Sequence, residues 1–187
     1  MFILWVYYGI YSRVDNMILN DRDIMELANH FGRPLVIPFD VKHITPNGYD
    51  LSIKEIKVMD ETADKITGIV KPKVFDIKDG DLFIPARTFV IGMTEERVEM
   101  PADMVAFLWI RSSYGRKGLI LMASVVDAGY CGNLALSMYN CSNDGITIPK
   151  DGKRTICQIV FMQIDSTPMA TYALRSGNYQ NQNTLKD

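Results

Sequence analysis

A chain of 187 residues with 48% hydrophobic content is expected to form one domain around a single core. Its formal net charge of -2 gives no general attraction to nucleic acid or to an anionic membrane. Three cysteines without a CxxC pair indicate reduced thiols in a cytoplasmic compartment. The two histidines lack zinc-ligand spacing, so no dedicated zinc site is expected.

The first unusual stretch is the apolar N-terminus, MFILWVYYGIY over residues 1–11. It is too short to span a bilayer and has neither a positive n-region nor a small-residue cleavage site, so it is neither a membrane helix nor a signal peptide. A helix is predicted over residues 20–31, because Asn20 can cap it, acidic Asp21 and Asp23 fill its first turn and Gly32 ends it.

The middle of the chain predicts short strands separated by charged turns. A turn at residues 45–48, TPNG, leads Asp50 into one of them. The other predicted strands cover residues 34–39, 66–70, 73–77, 82–84, 89–93 and 103–110. Several short strands with one small helix favour an all-β sandwich or barrel.

The richest segment covers residues 111–140, RSSYGRKGLILMASVVDAGYCGNLALSMYN. It begins with three cations and two hydroxyls within seven residues, which suits a polyphosphate, because such a ligand prefers charge-assisted donors. These residues are Arg111, Ser112, Ser113, Arg116 and Lys117. Apolar residues 119–126 and alternating residues 133–139 then predict a hairpin. Asp127 at its rim is either a turn cap or a catalytic base, and its position alone leaves both interpretations open.

Four motifs in this order resemble those of the trimeric dUTPase and dCTP deaminase superfamily: NGYDL, RSSYGRKGL, VVDAGYCG and GKRTICQIVF. The resemblance begins at Met17 and implies a dUTPase-like distorted jelly-roll, or β-clip barrel, over residues 17–175. It also implies a C-terminal arm over residues 176–187 and a homotrimer with sites between subunits. Residues 1–16 are then either an upstream start-codon artefact or an extra strand over a sheet edge.

The resemblance to dUTPases implies a role for each site residue. Asp127 would activate the water that splits dUTP into dUMP and pyrophosphate, and Gln158 would contact phosphate or that water. Phosphate binding falls to Arg111, Ser112, Ser113, Arg116 and Gln182, and base or sugar binding to Val126, Tyr130, Asn133 and Tyr179. Mg²⁺ would arrive on the triphosphate, held mostly through water, with Asp50 acting indirectly.

The deaminase branch of the same superfamily needs a glutamate in the returning strand as a proton carrier, and Ser137 occupies that position. A serine hydroxyl is a poor general base without an activating partner. Hydrolysis of dUTP is therefore the expected activity. The ending NYQNQ nevertheless resembles the deaminase tail, so dCTP deaminase or a bifunctional deaminase and dUTPase stays open, as does a non-catalytic nucleotide-binding trimer.

Overall fold

The computed structural model describes residues 18–30, 34–59, 73–76, 80–122, 125–150, 155–175 and 177–185. In these ranges the helices are α1 (Asp21–His30), α2 (Ser112–Gly115) and α3 (Tyr172–Arg175), with a 3₁₀ turn at Val41–His43. The strands are β1 (Val36–Ile37), β2 (Ile44–Thr45), β3 (Gly48–Val58), β4 (Lys73–Asp76), β5 (Leu82–Ile84), β6 (Phe89–Glu99), β7 (Met104–Ile110), β8 (Leu119–Leu121), β9 (Val125–Val126), β10 (Cys131–Asn140), β11 (Ile146–Ile148) and β12 (Thr155–Gln163). The predicted all-β fold with a helix near the N-terminus is confirmed.

Helix α1 begins with a reciprocal cap. The Asp23 backbone N–H donates to Asn20 Oδ1 at 3.1 Å, and the Asn20 N–H donates to Asp23 Oδ2 at 3.0 Å. This pairing satisfies donors that have no partner within the helix. Ile24 on the inner face is buried in the core, and Leu27 packs against it, so the helix covers the sheet as its apolar positions predict.

Strand β3 connects the two halves of the main sheet. Its first residues pair with β12, and from Ile53 onward it pairs with β6. A register shift between Ile53 and Glu55 marks the change of partner, as expected where a strand bends from one sheet into another. Tyr49, Leu51 and Ile53 are fully buried, so this strand runs through the core.

The main sheet has the strand order β8-β10-β6-β3-β12-β7-β9. Its two end strands, β8 and β9, are consecutive in the chain, and only four residue steps separate Leu121 from Val125. Such a link reaches about 14 Å at most, whereas seven flat strands would span about 29 Å. The sheet must therefore curl until its ends approach each other, which gives the half-barrel seen here.

The predicted hairpin over residues 119–139 is only partly correct. Leu121 of β8 pairs with Met138 of β10, but Val126 of β9 pairs with Ala106 of β7. After β8 the chain thus leaves β10, and β9 joins β7 on the other half of the sheet. This is possible because the curl brings β7 close to the end of β8. A period-two pattern indicates strands but does not identify their neighbours.

Other predicted strands differ mainly in extent. Of residues 34–39 only Val36–Ile37 pairs, with β6, whereas the strand predicted over residues 89–93 continues to Glu99. The strand predicted over residues 66–70 and the extension at residues 1–16 lie outside the described residues. Within the described part of the chain, no helix is both long and apolar enough to cross a membrane.

A buried carboxyl group joins β6 to β3. Glu96 is only 3% exposed, and its Oε2 accepts a hydrogen bond from the Ser52 backbone N–H at 2.8 Å. Its Oε1 lies 3.6 Å from His43 Nδ1. Burial raises the pKa of the Glu96 carboxyl to about 7, although the bond from Ser52 opposes that rise.

Replacing Glu96 by Gln should remove a pH dependence of stability. Because the folded-state pKa lies above the ordinary value, the contribution of Glu96 to the free energy of unfolding is full at low pH and declines as the pH rises through about 7, by up to about 3 kcal/mol. The uncharged amide can still accept from Ser52. Urea unfolding at about pH 5 and about pH 8 should show that Glu96→Gln gains stability relative to wild type at the higher pH. The same difference at both pH values would contradict this account.

Candidate functional site

A cavity of about 560 Å³ lies between the hairpin turn, the curled sheet and the C-terminal segment. Both halves of the sheet contribute to its wall, with Leu108 from β7 and Ser137 from β10. Its size is in the range of small-molecule sites. Five residues predicted to bind or act on a nucleotide line it: Val126, Asp127, Tyr130, Tyr179 and Gln182. We call it the hairpin cavity.

Asp127 lies exposed at the mouth of this cavity. The turn that follows it is closed by backbone atoms, because the Tyr130 N–H donates to the Asp127 carbonyl oxygen at 3.0 Å and the Gly129 N–H donates to Pro101 O at 3.2 Å. Gly129 has φ of +79°, a conformation that favours glycine. No described residue donates to the Asp127 carboxylate, so this side chain does not cap the turn and is available to a ligand.

Tyr130 forms a fixed wall of the hairpin cavity. Its hydroxyl donates to Asn133 O at 2.7 Å, and its ring meets the Tyr172 ring edge-on at a centroid distance of 5.3 Å. Burial raises the pKa of Tyr130 to about 12, so the hydroxyl stays a neutral donor. A tyrosine held at both ends can define the shape of a ligand that packs against it.

Asn133 has a different position from the other predicted base-binding residues. Its side-chain Nδ2 donates to the carbonyl oxygens of Thr94 and Glu95, each at 3.0 Å. The side chain is buried and is absent from the wall of the hairpin cavity. It ties β10 to β6, and only its backbone, next to the C-terminal segment, is close to the predicted ligand.

The described part of the C-terminal arm, residues 177–185, docks on the hairpin of its own chain. The Asn181 N–H donates to Cys131 O at 2.6 Å, and the Asn133 N–H donates to Gln182 O at 2.8 Å. These bonds place Gln182, which is 4% exposed, in the cavity wall. The Tyr179 N–H donates to the Tyr172 hydroxyl at 3.1 Å. The Tyr179 side chain is largely exposed at the mouth of the hairpin cavity.

The predicted phosphate-binding turn lies outside the hairpin cavity. It folds into the one-turn helix α2, with Arg111 at the N-cap and exposed Ser112, Ser113 and Arg116. Arg111 Nε lies 3.1 Å from Asp50 Oδ2, and its guanidinium also contacts Thr155. None of these four predicted residues lines the hairpin cavity.

Asp50 and Gln158 lie beside that turn. They are register partners on β3 and β12, and Gln158 Nε2 donates to Thr45 Oγ1. Burial raises the pKa of the Asp50 carboxyl, while nearby Arg111 and His43 act in the opposite direction. The structure therefore separates the predicted site residues into two groups, the hairpin cavity and a cluster of Asp50, Arg111 and Gln158.

Neither group offers a set of direct magnesium ligands. The described residues contain no cluster of three His, Cys, Asp or Glu side chains that could hold a metal ion, and the carboxylate of Asp50 is paired with Arg111. Magnesium keeps most of its water and binds phosphate oxygens readily. The donor set thus fits an ion carried by a nucleotide, and does not fit a permanent protein site.

Tyr172 and Asn178 are among the residues of the cavity wall that the sequence did not predict. Tyr172 lies on the single-turn helix α3, where no periodic pattern distinguishes it. Its N–H donates to Ala128 O at 2.9 Å, so its place beside the hairpin depends on a contact between segments more than forty residues apart, which local patterns do not encode.

Comparison with known proteins finds one family over most of the chain. A family model described as dCTP deaminase-like matches residues 18–164. The dCTP deaminase of Pyrococcus horikoshii is 36% identical over 152 residues, which cover 81% of this chain and 87% of that protein. A protein of Persephonella marina named dCTP deaminase, dUMP-forming, is 34% identical over 175 residues, covering 89% of this chain and 93% of that protein.

A solved structure also resembles the fold. The 2'-deoxycytidine 5'-triphosphate deaminase from Agrobacterium tumefaciens aligns with a TM-score of 0.59 at 20% sequence identity, covering 78% of this chain. The alignment spans about half of that solved chain, 47% of its length. At this identity the likeness supports the curled β fold alone.

Proposed function

The chain belongs to the dCTP deaminase-like family, and we propose that it is an enzyme that removes the amino group from the cytosine ring of dCTP. The observation that carries this proposal is the identity of 34–36% to proteins named dCTP deaminase, along more than four-fifths of their length. The hairpin cavity supplies a place for a nucleoside, with Tyr130 and Gln182 in its wall.

The expectation that dUTP hydrolysis is the main activity is wrong. It depended on Ser137, whereas the curated relatives carry the name dCTP deaminase, in one case with the addition dUMP-forming. The side chain at position 137 bears on which group in the cavity moves protons. It does not by itself determine which base the cavity accepts, because the surrounding backbone and tyrosines also shape that choice.

Deamination needs a proton carrier close to the ring. A water oxygen bonds to C4 of cytosine while one water proton reaches N3; the remaining hydroxyl proton then moves to the amino nitrogen, which leaves as ammonia as the C4 carbonyl forms. Asp127 contributes the only carboxylate among the described residues that line the hairpin cavity. We assign both proton transfers to Asp127, because a carboxylate can accept and return a proton.

The phosphates of dCTP would be held by a second subunit. Arg111, Ser112, Ser113 and Arg116 do not line the hairpin cavity of their own chain, yet a nucleoside triphosphate needs charged donors beside the base site. A homotrimer in which α2 of one subunit faces the hairpin cavity of the next would join the two groups. In this arrangement Mg²⁺ would bind the triphosphate oxygens and screen their charge.

A second candidate function is nucleotide binding without turnover. Ser137 favours it, since the hydroxyl in the cavity wall cannot replace the carboxylate that the deaminase pattern has there. Such a protein would keep the cavity and the phosphate-binding turn and bind dCTP without releasing ammonia. The two candidates therefore differ in one measurable product.

Incubation of the purified protein with dCTP and Mg²⁺ tests the main proposal. Ammonia should accumulate in proportion to the loss of dCTP, and chromatography of the products shows whether dUTP or dUMP forms. A parallel incubation with dUTP measures pyrophosphate release on its own. Tight binding of dCTP without ammonia would favour the second candidate and contradict deamination.

Substitutions at Asp127 and Ser137 test the proton carrier. Asp127→Asn should lower ammonia release by roughly two to four orders of magnitude, the usual range for a positioned acid–base group. Ser137→Ala should change it little. Introducing a carboxylate with Ser137→Glu should restore part of the lost rate in the Asp127→Asn background. A folded Asp127→Asn protein with the wild-type rate would contradict the role assigned to Asp127.

Mixed trimers test whether neighbouring subunits share the site. Asp127→Asn and Arg116→Ala chains should each be nearly inactive alone, yet joint refolding at equal amounts should restore about a quarter of the sites, because that fraction pairs an intact cavity with an intact turn at random. As a control, Asp127→Asn chains are refolded with chains that carry both substitutions. Restored activity in that control, or none in the test mixture, would contradict the shared site.

A further inference from the structure

The Arg97 side chain connects three segments that meet at the hairpin. Its Nε donates to Glu99 Oε1 at 3.2 Å, and its Nη2 lies 2.8 Å from Asn181 Oδ1 and 2.7 Å from Cys131 Sγ. Burial raises the pKa of the Cys131 thiol, which keeps the sulfur protonated and able to accept weakly. One guanidinium therefore contacts β6, the start of β10 and the C-terminal arm.

Hydrogen bonds are the main attachment of the arm. Residues 178, 179, 181, 183 and 184 are exposed, so apolar burial contributes little and hydrogen bonds must hold the segment. Besides the backbone bonds at Cys131 and Asn133, Gln180 Oε1 accepts from the Cys131 N–H at 3.2 Å, and Lys54 Nζ donates to Asn183 O at 2.7 Å. Among the side-chain bonds that the arm makes to the hairpin and β6, the one from Arg97 to Asn181 Oδ1 has a charged donor, and Glu99 holds that donor in place.

The approach of the arm is unusually close at Gly132. A Cβ atom there would lie 3.0 Å from the Gln182 nitrogen and 2.8 Å from the Tyr130 hydroxyl oxygen. The arm thus lies directly against the hairpin backbone beside the Arg97 contact. Asn181 directly precedes Gln182, so the bond from Arg97 to Asn181 lies next to a residue of the cavity wall.

We propose that Arg97 is a positioning residue, which fixes the C-terminal arm on the hairpin through Asn181 and so keeps Gln182 in the wall of the hairpin cavity. Glu99 holds the guanidinium in place, and the charge of Arg97 strengthens the bond to Asn181. Only the effect on nucleotide turnover rests on the proposed function. The attachment of the arm is a property of the free protein.

Hydrogen exchange of the free protein tests the attachment directly. In Arg97→Ala the amides of Asn181 and Asn133, which form the backbone bonds between arm and hairpin, should exchange about tenfold faster than in wild type, as expected for the loss of a charge-assisted bond. Amides in the centre of β12 should be unchanged. Arg97→Lys keeps the charge without the planar fork and should give an intermediate rate.

A matched control exists elsewhere in the chain. Arg87 donates through Nε and Nη2 to Asn143 Oδ1, at 3.2 and 2.7 Å, a pair of the same kind at a distance from the arm. Arg87→Ala should leave the exchange of Asn181 and Asn133 at the wild-type rate. Equal acceleration in both arginine variants, or no acceleration in Arg97→Ala, would overturn the proposal.

Substitution of Asn181 removes the same bond from the other side and guards against misfolding of the Arg97 variant. Asn181→Gly suits this test, since Asn181 has φ of +59°, which glycine adopts readily. The Asn133 amide should exchange faster by a similar factor, and adding Arg97→Ala should accelerate it little further, because the bond is already lost. Fully additive effects, or an unchanged Asn133 amide in Asn181→Gly, would overturn the proposal.

Kinetics then connect the arm to turnover. If the cavity is complete only while the arm is docked, Arg97→Ala should raise KM for dCTP about tenfold with a smaller change in kcat, because fewer molecules are competent to bind. An unchanged KM beside accelerated exchange would overturn the role in the cavity wall. If wild type releases no ammonia while the exchange results hold, the proposed function fails and the arm attachment stands.

Discussion

The short link between β8 and β9 is the constraint on which the rest of the structure depends. These strands form opposite ends of a seven-strand path, so a connection of four residue steps can exist only if the sheet curls. The curl brings Leu108 of β7 opposite Ser137 of β10 and encloses the hairpin cavity between the two halves. The bend of β3 near Ile53 makes this curl possible within one continuous hydrogen-bonded network.

The same curl separates the polar residues of the chain into two groups. Asp50, Arg111 and Gln158 meet on the half that contains β12, while Asp127 and the arm close the cavity at the hairpin. Under the proposed function each group is incomplete as a nucleoside triphosphate site, since one would hold the phosphates and the other the base. The pair with Asp50 also gives Arg111 a structural role on that half of the sheet.

Because position 137 is a serine, the acid–base role in the proposed chemistry falls to Asp127. A wall that has a hydroxyl in place of a carboxylate leaves Asp127 as the acidic group among the described residues of the cavity. Asp127 is exposed and accepts no hydrogen bond from the described residues, so its carboxylate can reach a bound ligand or its water. The arm matters in this setting because Gln182 helps to close a cavity whose proposed proton carrier, Asp127, is exposed.

The sequence by itself determined the all-β class, helix α1, the family and five of the residues that line the cavity, because these depend on local signals: the Asn20 cap, strand periodicity and motifs such as VVDAGYCG. The choice between deamination and hydrolysis could not be made from Ser137 alone, since one position carries less information than identity along the whole chain. Only the tertiary structure decided that β9 pairs with β7, that Asn133 ties strands together, that Tyr172 joins the cavity and that Arg97 donates to Asn181 of the arm. These features depend on contacts between distant segments, and such contacts follow from the curl of the sheet, which no local pattern specifies.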